Sequence, residues 1–302
     1  MTGPLAWYWN PGGAGTSEGF SVVAGRQNLY GDLGLGQTYA AASIPLLGGV
    51  VGVNLNTLNS GDIKRTSEAN PFGERLGGNV FQWTSTAIGL GYARRLTDRL
   101  SVGGQAKYIQ EGIPDANTKW IAFDVGTQFN TGLYGIVLGG AIQNVSGTAR
   151  ASGALIQRVV SSTDGSVFRE DRRVDFYTKK TEIPVEFRLS VGSELLGTSN
   201  ALFGGAGGHS TLNIEGAVNE TTDAATQYAL ALEYGFRNVL FVRGGKRMYN
   251  DDRERGDVGT TGLAGGFGLR FPLKGRNVRF DYSYETAGAL QNVQIFSFEV
   301  GK

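Results

Sequence analysis

The chain has 302 residues, 48 of them glycine and 7 proline, with 40% hydrophobic residues and a mean hydropathy of -0.16. It has no cysteine and one histidine, which excludes disulfide scaffolds, thiol nucleophiles and Cys/His zinc sites. Its 28 Lys+Arg stand against 27 Asp+Glu without a basic block, which excludes wholesale nucleic-acid binding, and no run approaches the roughly 20 apolar residues of a membrane helix.

Residues 1–18 open the chain with Leu5, Trp7, Tyr8 and Trp9, followed by Asn10-Pro11, a pair that favours a turn. No basic n-region and long apolar h-region precede them, so no signal peptide is expected here and the chain reads as mature or trimmed. Gly12 to Ser17 lacks the Gly-Lys-Ser/Thr ending of a phosphate loop. No cofactor is expected.

Beyond this segment the dominant signal has a period of two. At 118–129 Ile121, Phe123, Val125 and Phe129 alternate with Ala122, Asp124 and Gln128. At 184–195 Val185, Phe187, Leu189 and Val191 oppose Glu186, Arg188, Ser190 and Glu194. At 226–236 Tyr228, Leu230, Leu232, Tyr234 and Phe236 alternate with Gln227, Ala229, Ala231 and Glu233. Val278, Phe280, Tyr282 and Tyr284 likewise alternate with Arg279, Asp281, Ser283 and Glu285, and the last strand places Phe296, Phe298 and Val300 on one face. A face with several charges cannot line an apolar core without partners, so the apolar face must meet lipid and the charged face a wet interior. Only a closed barrel lets such strands cross a membrane with every backbone group paired.

Such segments lie near 19–27, 36–45, 48–58, 84–95, 98–110, 118–130, 132–145, 183–195, 208–219, 226–236, 238–249, 259–272, 276–286 and 292–301, about fourteen strands of membrane length. The fold expected is therefore all-β: a transmembrane antiparallel barrel over 19–302, in a bacterial outer membrane and in contact with its lipid. An even strand count puts both termini on one side. The long connections 59–83 and 146–182 then fall opposite the short ones, such as Leu46-Leu47 and Arg237-Asn238. Outer-membrane barrels carry short turns in the periplasm and long loops outside, so both termini are expected to be periplasmic. The Gly-rich connection 196–207 is the exception among the short turns, and either lengthens a turn or conceals a strand. The long loops carry Arg65, Glu68, Arg75, Arg169, Glu170, Asp171, Arg172 and Arg173, read as solvated surface.

Fourteen strands about 4.7 Å apart and tilted about 40° enclose a bore roughly 27 Å wide, more than side chains fill. Residues 1–18 are therefore expected to plug the lumen, anchored through Trp9, Asn10 and Pro11. The inward charges Lys107, Asp124, Glu186, Arg188, Glu194, Glu233, Arg243, Arg247, Arg279, Asp281 and Glu285 are expected to form a polar ladder that holds this plug or lines a wet interior. Catalysis is not expected: His209 and Ser210, adjacent on a strand, would point to opposite faces.

Residues 6–14, Ala-Trp-Tyr-Trp-Asn-Pro-Gly-Gly-Ala, resemble the Tyr-Trp-Asn-Pro-Ala-Gly signature near the start of the PorV/PorQ family, itself related to FadL-type barrels. Residues 91–109, 141–145, 184–189 and 279–284 fit that family in order, while Gly12-Gly13 stands where Ala-Gly is usual. The resemblance implies a 14-stranded outer-membrane barrel whose N-terminal region engages the lumen. It further implies a non-enzymatic secretion or surface-assembly factor, with secreted proteins bearing C-terminal signal domains, or surface-attachment proteins, as partners. Two alternatives stand beside it: a FadL-like transporter of hydrophobic small molecules, and a structural anchor for a surface layer or filament.

Overall fold

The computed structural model describes residues 2–66, 68, 70–71, 80–161, 171–204, 209–250 and 261–301. A short helix α1 (Ala6–Trp9) and a 3-10 turn (Pro11–Thr16) precede the strands. These are β1 (Ser21–Leu29), β2 (Leu35–Leu46), β3 (Gly49–Asn59), β4 (Ile63–Lys64), β5 (Val80–Phe81), β6 (Thr84–Arg95), β7 (Leu100–Ile113), β8 (Ala116–Asn130) and β9 (Val137–Ser146). There follow β10 (Gln157–Ser161), β11 (Asp171–Asp175), β12 (Glu186–Leu196), β13 (Ser210–Thr221), β14 (Ala224–Phe236), β15 (Leu240–Tyr249), β16 (Leu263–Leu273), β17 (Arg276–Thr286) and β18 (Asn292–Gly301). Fourteen of them close an antiparallel barrel in sequence order, while β4–β5 and β10–β11 form two ribbons within the long loops. The first and last strands seal it, with Ala24 opposite Phe298 on one side and Ala40 on the other.

Every strand expected from the alternation is present, and the shifts at their ends have local causes. The strand expected from 132 begins at Val137, because Gly132, Tyr134 and Gly135 all take positive φ and turn the chain first. The one expected from 183 begins at Glu186, past Pro184, whose missing N–H cannot join a ladder. Connection 197–209 adds no strand among the described residues: Leu202 N–H donates to Glu194 O and Phe203 N–H to Leu195 O, folding it back on β12. Gly205, Gly207 and Gly208, like Arg75, Arg169 and Glu170, lie outside the described residues.

The tight turns show how the hairpins close. Leu47 and Gly48 have φ of 56° and 71°, and Lys274 and Gly275 have 50° and 77°, the doubly positive pattern that matches strand twist in a two-residue hairpin. With the termini at the same end as these turns, the wall has a turn end and a loop end.

Alternation holds around the wall. Ile121, Phe123 and Val125 stand exposed between the buried Trp120, Ala122 and Asp124. About four such outward apolar residues per strand, about 6.7 Å apart along a strand tilted about 40°, give a belt roughly 15–20 Å tall. The core lies inside the barrel. Ala6, Trp7 and Ala14 of the N-terminal segment pack there with Val23, Tyr39, Ala41, Val50 and Ala93 of the wall. A second cluster, Ile109, Trp120 and Ala122, receives Ala149 and Ile183 from the stem of loop 147–185, whose Thr181 carbonyl accepts from Trp120 Nε1 at 3.2 Å. The stem of this loop is therefore packed, not merely solvated as the sequence suggested.

Candidate functional site

The N-terminal segment rests against the inward faces of β2, β3 and β6–β9, and glycine makes the space for it. A Cβ on Gly52 or Gly91 would collide with the Trp7 indole, one on Gly103 with the Pro11 carbonyl, and one on Gly126 with the Asn10 side chain. Trp7 is 0% exposed, and its Nε1 donates to Ser43 Oγ at 2.9 Å, so the buried indole N–H is satisfied. Pro11 is likewise fully buried. Asn10 caps the 3-10 turn with Oδ1, accepting from Gly12 N–H at 3.0 Å, and donates from Nδ2 to Thr127 O at 2.8 Å.

Polar wall residues bind the segment's backbone. Gln105 Nε2 donates to Trp7 O at 2.7 Å, Ser101 Oγ to Gly12 O at 2.6 Å, and Tyr39 OH to Pro4 O at 3.1 Å. Gln143 Nε2 and Arg188 Nη1 both reach the Tyr8 carbonyl, at 3.1 and 2.9 Å, and the Trp9 carbonyl, each at 3.3 Å. Gln105 and Asn54 are linked at 2.6 Å, and Gln105 Nε2 also donates to Asp124 Oδ2 at 2.6 Å.

Asp124 is 1% exposed and fully engaged. Lys107 Nζ lies 2.8 Å from its Oδ2, and Asn144 N–H donates to its Oδ1 at 2.8 Å. Asn144 has φ of 62° at a bulge where the pairing jumps from Phe123↔Val145 to Val125↔Ile142. The extra residue turns an amide toward the carboxylate that a regular ladder would have kept for the neighbouring strand.

The inward charges form separate clusters rather than one ladder, and only some touch the segment. Arg188 pairs with Glu186 at 2.8 Å, and Glu186 also accepts from Asn219. Arg243 bridges Glu233 and Asp281, and Arg279 joins Asp281 at 2.9 Å. Arg247 pairs with Glu285 at 3.1 Å. Of these only Arg188 contacts the N-terminal segment, and Lys107 and Asp124 act on it through Gln105. Glu194 belongs to the turn end, where it accepts from Thr198 N–H and Oγ1. Between the clusters, Phe241 is buried with the Arg270 and Arg279 guanidiniums 5.0 and 5.1 Å from its ring centre.

Sequence reasoning found Asn10 and Arg188 but missed Ser43, Asn54, Ser101, Gln105 and Gln143, and with them the glycine cradle. The signal was present: Gly89, Gly91 and Ala93, then Gly103, recur at alternate, inward positions of β6 and β7. Among the described residues, no three or more His, Asp or Glu side chains are grouped so that they could hold a metal ion.

No family model and no curated protein match the sequence. Solved structures match the fold. The toluene transporter TodX of Pseudomonas putida superposes with a TM-score of 0.56 at 11% identity, over 98% of this chain and 92% of that one. The toluene transporter TbuX of Ralstonia pickettii gives 0.56 at 11%, over 99% and 92%. A Pseudomonas aeruginosa FadL homologue gives 0.54 at 10%, over 100% and 94%. At such identities the likeness is one of fold: a closed, 14-stranded, all-β antiparallel barrel of the kind found in FadL-type outer-membrane proteins.

Proposed function

We propose that this chain is a non-enzymatic outer-membrane barrel that passes small hydrophobic molecules along its lumen, with its turn end and termini in the periplasm. The observation that carries this reading is the tip of the N-terminal segment. Trp9 stays 39% exposed, and the two rings of Tyr8 and Trp9 meet edge-on at 5.1 Å, with the Arg188 guanidinium 4.8 Å from the Trp9 ring. An apolar solute gains about 25 cal/mol for each Å² it buries, and an exposed aromatic tip inside a polar lumen is where it finds that gain. The inward charges argue less against such a solute than their number suggested, because Arg188, Arg243, Arg247 and Lys107 are each paired with a carboxylate. The names of similar structures, toluene transporters and a monoaromatic hydrocarbon channel, support an aromatic substrate.

In this reading the cradle side of the segment stays fixed while the tip yields. Four contacts from Gln143 and Arg188 to two carbonyls hold the tip, and a solute at Trp9 competes with the Arg188 stack. The direct test is uptake of labelled toluene by cells bearing the chain against cells bearing the empty vector. A several-fold faster uptake is expected, and equal rates would remove the transport reading.

A second reading, a PorV/PorQ-like secretion or surface-assembly factor, is favoured by the Trp9-Asn10-Pro11 signature and by the polar lumen. It follows transport in rank because the similar structures are transporters and channels. Secreted proteins with a shared C-terminal domain, retained when the barrel is isolated in mild detergent, would reverse that rank. The anchor role would show as release of a surface layer on deleting 146–182 while the barrel stays folded.

A further inference from the structure

At the turn end the outward apolar belt closes on arginines. At the turn end of β6 the outward series Ile88, Leu90 and Tyr92 continues into the exposed Arg94. On β17 the exposed Arg276 opens the register that continues through the buried Val278 to Phe280 and Tyr282, and its guanidinium lies 5.9 Å from the ring of the exposed Phe20. In the turn between β14 and β15 the exposed Arg237 lies 5.2 Å from the ring of Phe236, itself an outward belt residue. No ion pair engages any of the three arginines among the described residues. Of the carboxylates near this end, Glu299 shares the inward face with Arg279, opposite which it pairs, Glu194 is occupied by Thr198, and the exposed Asp98 and Glu18 lie in the β6–β7 turn and ahead of β1, off the strands of the belt. Among the described residues, no wall strand has a carboxylate as its last outward position at this end.

A guanidinium beside an aromatic ring at the edge of an apolar belt sits at headgroup depth, where aromatic side chains collect and long cationic ones reach for phosphate. With no carboxylate paired to them among the described residues, these three cations face whatever anion the membrane surface supplies. We infer that the turn end of the barrel binds anionic phospholipid headgroups, phosphatidylglycerol being the simplest, through Arg94, Arg237 and Arg276. The inference rests on the membrane-spanning reading of the barrel but not on the identity of any transported solute. Near an anionic surface each basic residue contributes about 1 kcal/mol, which is about fivefold in affinity.

The test compares lipids retained by the full chain in mild detergent after titration with phosphatidylglycerol or phosphatidylcholine, counted by native mass spectrometry. The wild type is expected to retain phosphatidylglycerol in preference to phosphatidylcholine. The combined variant Arg94→Gln, Arg237→Gln and Arg276→Gln is expected to lose at least about fivefold of that preference. Lys119→Gln with Lys246→Gln, two positions toward the loop end, is expected to keep it, with β-sheet circular dichroism confirming that each variant is folded. Equal retention of both lipids by the wild type overturns the inference, as does an equal loss in the loop-end variant. Failure of the wild type to insert into vesicles of either lipid would instead sink the membrane-spanning reading itself.

Discussion

The two halves of the barrel wall solve the same problem, a bore too wide for side chains, in opposite ways. From β2 to β9 the inward positions facing the N-terminal segment are mostly glycine, alanine, serine and amide residues, with Lys107 and Asp124 paired beneath them, and the segment fills the space they leave. From β12 to β18 the inward positions carry Glu186, Arg188, Glu233, Arg243, Arg247, Arg279, Asp281 and Glu285, which pair with one another and remain part-exposed. A small residue facing inward invites protein. A long charged one keeps the bore wet, because its desolvation would cost more than burial returns. Arg188 sits on the boundary, holding the segment with one nitrogen and Glu186 with another.

On this division the largest effects lie in the filled half. Trp7→Ala removes a fully buried indole from between two glycines that have no side chains with which to close the gap. The expected cost is about 3–5 kcal/mol in docking of the N-terminal segment. Protease cleavage within residues 2–18 should accelerate sharply while the barrel keeps its sheet signal, and unchanged protection would show that the cradle does not hold the segment. Asp124→Ala comes next, at about 3 kcal/mol, because it leaves the Lys107 ammonium buried beside Asn144 with no counter-charge. Its denaturant midpoint, compared with that of the double variant Asp124→Ala with Lys107→Met, reads this directly. The double variant should recover part of the loss, and no recovery would mean that the carboxylate matters only through Gln105 and Asn144.

The wall was legible in the sequence because alternation is a local signal: Ile121 to Phe129, or Phe187 to Val191, declares two faces without reference to any other strand. The short turns and the end at which the strand termini meet followed from counting. The cradle was not legible in the same way. Glycine has no face of its own, and Gly52, Gly91, Gly103 and Gly126 acquire a common role only once register places them around one indole and one proline. Lys107 and Asp124 illustrate the same limit. They lie on neighbouring strands, and the pair forms where Gln105 opposes Asp124 one step away. The bulge at Asn144 that completes the site leaves no sequence mark beyond an asparagine tolerant of positive φ. Among the inward charges the sequence supplied the members but not the partition, since which acid meets which arginine depends on register across several strands.

The smallest effect sharpens the comparison most. Arg243 makes two ion pairs where Asp124 makes one, so a count of contacts would rank it higher. Yet the Arg243, Glu233 and Asp281 side chains are 27%, 29% and 21% exposed, against 1% for Asp124. Water at that exposure solvates the freed carboxylates, and Arg279 remains beside Asp281 to neutralise one of them. Arg243→Gln is therefore expected to lower stability by about 1 kcal/mol or less, with the remainder weakening as salt is raised. Equilibrium unfolding in detergent at low and high ionic strength measures both quantities. A loss as large as that of Asp124→Ala, indifferent to salt, would mean that the charged half is as dry as the filled one, and that the bore is closed on both sides of the N-terminal segment.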